Sequence, residues 1–183
     1  MGKLIVISGP SGVGKGTIVK KLLKRSGYAL SVSCTTRAPR EGEREGVSYF
    51  FITEKKFAEM IENGGFLEHS RHFGNYYGTP KSFVEEKLKT HDVILEIEVD
   101  GALQVKKSYP EAVLIMVVPP SVEELKARLL KRGSEDEDTI QKRMQRMEYE
   151  LSKRGQYDYT VVNDKLEAAV DEIDNIIKSG VKN

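Results

Sequence analysis

The residues with the clearest chemical potential form a short run near the N-terminus, Gly9-Pro10-Ser11-Gly12-Val13-Gly14-Lys15. The run fits the pattern GxxxxGK and lies between a strand-like segment and a helical pattern. Glycines let the backbone turn tightly, so that several N–H groups can point at phosphate oxygens. The helix N-terminus adds the positive end of its dipole, and the lysine ammonium can reach the terminal phosphates. The sequence therefore predicts a nucleotide phosphate site, with a ligand-free glycine-rich turn as the alternative.

The position after the lysine departs from the usual pattern. Ser or Thr normally stands there and binds Mg²⁺, whereas this chain has Gly16 followed by Thr17. Because Gly16 has no side-chain oxygen, Mg²⁺ would be held through water, or by Thr17, or by a carboxylate elsewhere. The predicted metal ligands are Thr17 and Glu96, directly or through water.

Glu96 belongs to a hydrophobic strand pattern, Val93–Glu98, that ends in acidic residues. P-loop kinases keep a carboxylate near Mg²⁺ at such a strand end. In a strand, Glu96 and Glu98 alternate onto the same face, so both could point at the nucleotides. The alternative is a half-buried strand with one acidic, solvated face.

Two arginines stand three residues apart in Ser33-Cys34-Thr35-Thr36-Arg37-Ala38-Pro39-Arg40, behind residues with hydroxyl groups. A planar guanidinium group binds phosphate oxygens through two N–H groups, so the pair Arg37 and Arg40 suits a phosphomonoester dianion. The alternative is a surface loop in which both side chains are simply solvated. On the first interpretation, this loop binds the phosphate of an acceptor substrate.

Composition excludes several classes of protein. The 183 residues carry 29 Lys and Arg against 28 Asp and Glu, a net charge of +1, which excludes a strongly basic nucleic-acid binder and an acidic tail protein. The single cysteine, Cys34, excludes an intrachain disulfide and a four-cysteine zinc site. No apolar run approaches the roughly 18 residues of a membrane span, and the N-terminus lacks a signal-peptide pattern. We therefore expect a cytoplasmic protein without membrane contact.

Short apolar runs alternate with amphipathic helical patterns, which is typical of an α/β fold with a parallel sheet flanked by helices. The predicted central strands are Leu4–Ser8, Val93–Glu98, Leu114–Val118 and Thr160–Val162. The predicted helices are Lys15–Arg25, Gly101–Lys107, Val122–Lys131, Asp138–Lys153 and Leu166–Lys178. Ser121 and Glu124 fit a capping box at the start of the third helix.

The pattern changes between Ser33 and about Pro80. Short aromatic strands are predicted at Tyr49–Ile52, Phe66–Glu68 and Asn75–Gly78, with a helix near Glu54–Glu62 capped by Thr53. This segment predicts a small, mostly β lobe inserted into the core. A charge-dense stretch around Gly133 cannot pack a core and predicts an exposed, mobile segment. The predicted single domain, residues 1–183, comprises a core (1–32 and 81–183) with the inserted β lobe at about 33–80.

Several stretches resemble, in the same order, motifs of the guanylate kinase family. They are Ile7–Gly12 with Gly14-Lys15-Gly16-Thr17, Ser33–Glu43, Gly46–Phe51, Gly65–Glu68, Gly74–Thr79 and Val162–Asp164, spread over about residues 3–178. The resemblance implies a P-loop kinase that transfers the γ-phosphoryl group of ATP to GMP, giving ADP and GDP. It also implies Mg²⁺ as cofactor and dGMP as a further acceptor. It further implies that the lobe at about 33–80 binds GMP and that a lid at about 128–150 closes Arg128, Arg132 and Arg143 over the phosphates.

The resemblance implies roles for individual residues. The residues that would bind the GMP phosphate are Arg37, Arg40, Tyr49 and Tyr77, with Ser33 and Gly78 nearby. The residues that would bind the guanine are Glu68, Thr79 and Glu98. Asn163 would contact the donor base. Those acting on the transferring group are Lys15, Arg37, Arg128, Arg132 and Arg143. Guanine chemistry agrees, because a carboxylate can accept from N1–H and N2–H₂ while a hydroxyl donates to O6. Adenine has the opposite pattern at N1 and would leave buried groups unpaired.

Some readings stay open at this point. The family more often has Asp where Glu98 stands and Gln where Asp100 stands, which leaves the roles of these two residues undecided. The arginines of the lid could instead pair with nearby acids at helical spacing. The alternatives for the whole chain are a kinase of another phosphorylated small molecule and a non-catalytic interaction module of the same fold. We expect a monomer or simple homo-oligomer that does not bind nucleic acid.

Overall fold

The structure is a computed structural model that describes residues 1–25, 27–72, 74–124 and 137–179. Along the chain the elements are β1 (Leu4–Ser8), α1 (Lys15–Leu22), β2 (Tyr28–Leu30), β3 (Cys34–Thr35), β4 (Phe50–Phe51), α2 (Glu54–Glu62), β5 (Phe66–His72), β6 (Asn75–Pro80), α3 (Lys81–Leu88), β7 (Asp92–Glu96), α4 (Val99–Ser108), β8 (Val113–Val118), α5 (Glu137–Ser152), a 3₁₀ turn (Arg154–Gln156), β9 (Tyr159–Val162) and α6 (Leu166–Ser179).

The main sheet has five strands in the order β2-β7-β1-β8-β9, and every neighbouring pair is parallel. All residues of β1 and β8 are buried, as expected for central strands covered on both faces. Ile5 and Ile7 pack with residues of α1 and α6, whereas Leu4 and Val6 pack with residues of α3 and α4. The predicted α/β core with a parallel sheet between helices is confirmed.

A second sheet has the order β4-β3-β6-β5. Strands β5 and β6 form an antiparallel pair, and β3 adds antiparallel to β6 and parallel to β4. Helix α2 has the predicted bounds, and the Thr53 hydroxyl caps it by accepting from the Lys56 N–H at 3.2 Å. The buried Phe57 ring of α2 lies 4.4 Å from Phe66 and 5.3 Å from Tyr76, centroid to centroid. These aromatic contacts hold α2 on the small sheet.

Some predicted bounds differ from the structure. Strand β7 ends at Glu96, and Glu98 is the N-cap residue of α4, so the prediction that Glu96 and Glu98 share one strand face was wrong. Helix α1 ends at Leu22, since the next residues form a turn. Strand β2 and helix α3 were not predicted, because β2 has only three half-buried residues and α3 buries only Val84 and Leu88.

The lid falls largely outside the described residues. A helix begins at Val122, and the Ser121 hydroxyl accepts from the Glu124 N–H at 3.1 Å, as the capping box predicts. The remainder of the predicted helix Val122–Lys131 lies outside the residues described. Among the helices that the structure describes, none combines the length and apolar character that a membrane crossing needs.

Candidate functional site

The glycine-rich loop joins the end of β1 to the start of α1. Gly9 has a φ of 141°, and a Cβ there would lie 2.1 Å from the Val117 carbonyl oxygen of β8, so only glycine fits. Gly14, with a φ of 99°, is the N-cap residue of α1 and provides no side-chain cap. The first-turn N–H groups of α1 therefore keep their capacity to bind an anion.

Lys15 lies over this loop. Its ammonium donates to the carbonyl oxygens of Gly9 at 2.6 Å and Pro10 at 3.1 Å. Burial lowers the pKa of Lys15, and the nearby carboxylates of Glu96, Glu150 and, less strongly, Glu98 oppose that shift. The loop carbonyls and these acids therefore hold the Lys15 ammonium against the glycine-rich loop.

Asn163, which follows β9, is buried and fixes the loop from the side. Its Nδ2 donates to the Val13 carbonyl oxygen at 2.8 Å, and a Cβ on Gly14 would lie only 2.6 Å from the same nitrogen. The structure thus places Asn163 beside the glycine-rich loop. Its contact with the donor base stays a prediction.

The Glu96 carboxylate lies beside Gly16. A Cβ on Gly16 would be 3.3 Å from Glu96 Oε1, so the carboxylate lies in contact range of the side chain that Ser or Thr would place here. Burial raises the pKa of Glu96, and Lys15 is the main opposing charge. With the exposed Thr17 next to Gly16, this corner presents the oxygen ligands that suit Mg²⁺. Among the described residues no group of three or more His, Cys, Asp or Glu could hold a metal by itself.

A cleft of about 250 Å³ opens between the main sheet and the small sheet. Its lining combines predicted acceptor residues with the metal corner: Leu30, Ser31, Ser33, Ser48, Tyr49, Thr79, Leu95, Glu96 and Ile97. The sequence did not indicate Ser31, whose hydroxyl oxygen is buried with no hydrogen-bond partner among the described residues. The cleft therefore lies between the predicted acceptor residues and Glu96, which in turn lies beside Gly16 of the glycine-rich loop.

Glu68 on β5 and Thr79 on β6 form a buried pair across the two strands. The Thr79 hydroxyl donates to Glu68 Oε1 at 2.6 Å. Burial raises the pKa of the Glu68 carboxyl, while hydrogen bonds from Thr79 act in the opposite direction. The resemblance implies that the Thr79 hydroxyl donates to guanine O6, whereas in this structure it donates to Glu68 Oε1.

Arg37, Tyr49 and Tyr77 also come together. Arg37 lies over the Tyr49 ring at 5.5 Å, and the Tyr49 and Tyr77 rings meet edge to face at 6.1 Å. The Glu43 carboxylate accepts from Arg37 Nη2 at 2.8 Å and from the backbone N–H of Arg40 at 2.8 Å. No sequence pattern assigned a role to Glu43, yet its carboxylate holds the Arg37 side chain and the Arg40 backbone.

The remaining acceptor residues divide between site and packing. Gly78 is buried in β6, and Cys34 is buried with its thiol pKa raised to about 11 by burial, which makes it unreactive. Tyr76 packs against Phe57, while the neighbouring Tyr77 points to the opposite face of β6. The Arg40 side chain is exposed.

Glu98 and Asp100, the two departures from the family pattern, meet Arg146 of α5. Arg146 Nη2 lies 2.9 Å from Asp100 Oδ2 and 3.4 Å from Glu98 Oε2, and its Nε donates to Glu150 at 3.1 Å. His72 Nε2 lies 2.9 Å from the same Glu98 oxygen. Sequence reasoning missed Arg146 because its partners lie 46 and 48 residues away along the chain.

Of the three arginines predicted to lie over the phosphates, Arg128 and Arg132 fall outside the residues described. Arg143 lies half-buried on α5, one turn before Arg146. Helix α5 therefore connects a predicted catalytic arginine to the acidic cluster at the start of α4.

Comparison with known proteins agrees with this geometry. Residues 1–180 match the family model described as guanylate kinase. Curated proteins named guanylate kinase include one from Clostridium tetani, 51% identical over 97% of this chain and 86% of that protein, and one from Prochlorococcus marinus subsp. pastoris, 49% identical over 97% of both. The crystal structure of guanylate kinase from Anaplasma phagocytophilum has a TM-score of 0.78 at 34% identity and covers all of this chain and 87% of that one. A shikimate kinase from Bacteroides thetaiotaomicron, at 15% identity and a TM-score of 0.53, shares the fold alone.

Proposed function

The chain belongs to the guanylate kinase family, and we propose that its phosphate loop and its cleft are the ATP and GMP sites of that family's reaction. The reaction is transfer of the γ-phosphoryl group of ATP to GMP, which gives ADP and GDP. The buried pair Glu68 and Thr79, next to the cleft that leads to Glu96, carries the assignment of residues.

The donor phosphates bind at the loop from Gly9 to Thr17. First-turn N–H groups of α1 donate to phosphate oxygens, and Lys15 moves its ammonium from the loop carbonyls to the β- and γ-phosphates. Asn163 supports this role by holding the Val13 carbonyl, since a loop with a fixed backbone loses little entropy when the anion binds.

GMP binds in the cleft with its base at Glu68. The guanine N1–H and N2–H₂ groups donate to the Glu68 carboxylate and replace the Thr79 hydroxyl, which then turns its proton to O6. AMP has no donor at N1, so it would leave the buried carboxylate unpaired, at a cost of about 1–3 kcal/mol or more. Because recognition is assigned to base and phosphate, dGMP is an acceptor as well.

The GMP phosphate binds Arg37, Arg40 and Tyr77, with Tyr49 and Ser33 beside them. Before GMP binds, the hydrogen bond to the Glu43 carboxylate holds the Arg37 guanidinium in position. The GMP phosphate then replaces Glu43 as the partner of this guanidinium. This position leaves the phosphate oxygen in the part of the cleft that Glu96 lines, facing the donor loop.

Mg²⁺ fits the corner formed by Glu96 and Thr17, where hard oxygen ligands meet the loop. When bound, the ion neutralises charge on the β- and γ-phosphates. Glu96 would hold the ion, directly or through water, beside Gly16, and Thr17 on the first turn of α1 would supply a second oxygen.

The chain's own contribution to catalysis is to position both substrates and to stabilise charge. The acceptor phosphate is already ionised at neutral pH, so no strong general base is needed. Lys15, Arg37 and Arg143, together with Arg128 and Arg132, stabilise the charge that spreads over the transferring oxygens. Both sites lie in one chain, so a monomer suffices.

The direct test is a coupled assay with ATP, Mg²⁺ and a series of nucleoside monophosphates, on the natural chain and on Glu68→Ala. We expect GMP and dGMP to be phosphorylated and AMP, CMP and UMP to be poor acceptors. Glu68→Ala should raise the KM for GMP at least tenfold, because about 1.5–3 kcal/mol of hydrogen bonding to a charged group is lost, with the KM for ATP unchanged. Equal activity on AMP, or an unchanged KM for GMP in the variant, would contradict the assignment.

A further inference from the structure

Gly101 occupies a position in helix α4 where glycine is costly. It is the third residue of the helix and is buried. A glycine inside a helix is less stable there than alanine, and α4 needs no left-handed residue at this point. A packing or functional reason should therefore exist for the missing side chain.

The space beside Gly101 is filled by the Glu68 side chain. A Cβ on Gly101 would lie 2.8 Å from Glu68 Oε2, 3.3 Å from its Cδ and 3.5 Å from its Cγ. The three nearest atoms all belong to this one carboxylate side chain, so it is Glu68, rather than a backbone, that excludes a methyl group.

Helix α4 cannot easily retreat from β5, because two residues on the same helix face tie it there. Gln104 Oε1 accepts from the His69 N–H at 3.1 Å, and Gln104 Nε2 donates to the His69 carbonyl at 3.1 Å. Ser108 Oγ donates to the Leu67 carbonyl at 3.1 Å. Gly101, Gln104 and Ser108 are spaced three and four residues apart, so all three face β5.

Glu68 cannot easily turn away either. Its carboxylate is buried and bound to the Thr79 hydroxyl at 2.6 Å. A methyl group at Gly101 would therefore displace Oε2 of the carboxylate to which the proposed function assigns the guanine N1–H and 2-amino groups.

We propose that Gly101 is a specificity-determining position of the GMP site, because the absence of a side chain there leaves the space that the Glu68 carboxylate occupies. Gly101 makes no contact with substrate in this role and acts as a positioning residue through Glu68. The inference rests on the proposed role of Glu68 in reading guanine.

The test is Gly101→Ala, compared with Gly155→Ala, which adds the same methyl group where no atom lies within 4 Å. We expect Gly101→Ala to raise the KM for GMP about tenfold or more, the size of a lost hydrogen bond to a charged group, with the KM for ATP within about twofold. Gly155→Ala should change neither constant. An unchanged KM for GMP in Gly101→Ala would overturn the proposal.

A double-mutant cycle with Glu68→Ala separates this inference from the proposed function. Once the Glu68 side chain is removed, Gly101→Ala should change the KM for GMP less than about twofold, and its effect on the melting temperature should become more favourable. Equal effects of Gly101→Ala in both backgrounds would overturn the steric coupling.

If Glu68→Ala alone left GMP binding intact, the guanine assignment would fail, while the melting temperatures would still decide whether the two residues are coupled. If Gly101→Ala does not fold, we expect the double variant with Glu68→Ala to fold again. A double variant that also fails to fold would contradict the steric contact between the two positions.

Discussion

Glu68 combines two properties that oppose each other at the scale of a single residue. A carboxylate is needed to accept both donors of the guanine edge, but burial favours the protonated acid and raises the pKa of Glu68. The hydrogen bond from Thr79 counters part of this shift. The charged form, and with it the reading of guanine, is therefore more sensitive to acid than an exposed glutamate would be.

This balance predicts a pH-dependent preference for GMP over inosine monophosphate, which lacks the 2-amino group. At neutral pH we expect the ratio of their kcat/KM values to be tenfold or more, from about 1.5 kcal/mol for the extra bond to a charged group. Because the raised pKa lets Glu68 protonate at a higher pH than an ordinary glutamate, the ratio should fall as the pH is lowered, and it should begin to fall before an exposed glutamate would protonate. The 5′-phosphates of the two substrates titrate alike and cancel in the ratio. A ratio that stays constant down to about pH 4.3, the ordinary pKa of a glutamate, would contradict the assignment of Glu68 to the 2-amino group.

Residue-level features differ in how far the sequence reveals them. The phosphate loop was predicted in full because its chemistry lies in seven consecutive residues. The predicted roles of Glu68 and Thr79 came only through family resemblance, since nothing local marks either residue, and their hydrogen bond to each other was not predicted. The contact of Gly101 with Glu68, and the bonds of Arg146 to Asp100 and Glu98, join positions more than thirty residues apart, so they required the fold.

Arg146 of helix α5 bonds to residues of both α4 and α5, and this cluster acts at the scale of elements. Arg146 joins α5 to Asp100 in the first turn of α4 and to the buried Glu150 one turn further along α5. Burial raises the pKa of Glu150, and Arg146 is the main opposing charge. The Tyr149 hydroxyl adds a hydrogen bond to Asp100 at 2.8 Å.

Arg146→Ala should therefore destabilise the protein. It leaves the buried Glu150 without its strongest partner, and we expect a loss of about 1–3 kcal/mol in the free energy of unfolding. In a Glu150→Gln background the same substitution should cost less, because no buried charge is left unpaired. Urea unfolding of the four variants measures both effects. Lys142→Ala, at an exposed position of α5, is the matched control and should change stability by less than about 0.5 kcal/mol. An equal cost of Arg146→Ala in both backgrounds would contradict the pairing of Arg146 with Glu150.

Element boundaries show where local signals are sufficient. Helix α2 was predicted residue for residue because Thr53 caps it and its apolar residues have helical spacing. The end of β7 was predicted two residues late, because alternation continues through Glu96-Ile97-Glu98 although the hydrogen-bonded ladder ends at Glu96. Short elements such as β2 carry too few residues for any periodicity to appear.

At the scale of the whole molecule, the fold class follows from the alternation of apolar strands and amphipathic helices, but the strand order does not. The order β2-β7-β1-β8-β9 places β1 at the centre and sends the chain through the small sheet between β2 and β7. No local pattern specifies such crossovers, because they depend on how distant segments pack together.

A charged cluster joins the segment between α1 and β2 to helix α6 and contributes to global stability. Asp174 of α6 accepts hydrogen bonds from Arg25 at 2.6 Å, the Tyr28 hydroxyl at 2.6 Å and Lys178 at 2.8 Å. Burial alone would raise the pKa of Asp174, but these bonds outweigh it and lower the pKa from 3.8 to about 2. The carboxylate form is therefore more stable in the folded protein than in the unfolded chain.

Asp174→Asn should lower the free energy of unfolding at pH 7 by about 1 kcal/mol, since the exposed partners are screened by water. For a chain of this size that is a melting temperature about 2–4 °C lower. A folded-state pKa below the unfolded one gives stability that is present above about pH 4 and lost as the pH falls toward about 2. The difference between the natural chain and the variant should therefore shrink on acidification in that window. Asp171→Asn, at the more exposed partner of Arg25, is the control with a smaller expected effect. A difference that stays constant down to pH 3 would rule out this source of stability.

The central claim is that one cleft holds the acceptor nucleotide by its guanine edge while the glycine-rich loop holds the donor phosphates. A crystal structure of the protein with GMP and ADP bound measures this directly. We expect both guanine donors within about 2.7–3.2 Å of the Glu68 carboxylate, with the ADP phosphates on the loop. A GMP base bound away from Glu68, or its phosphate seated on the glycine-rich loop, would contradict the account.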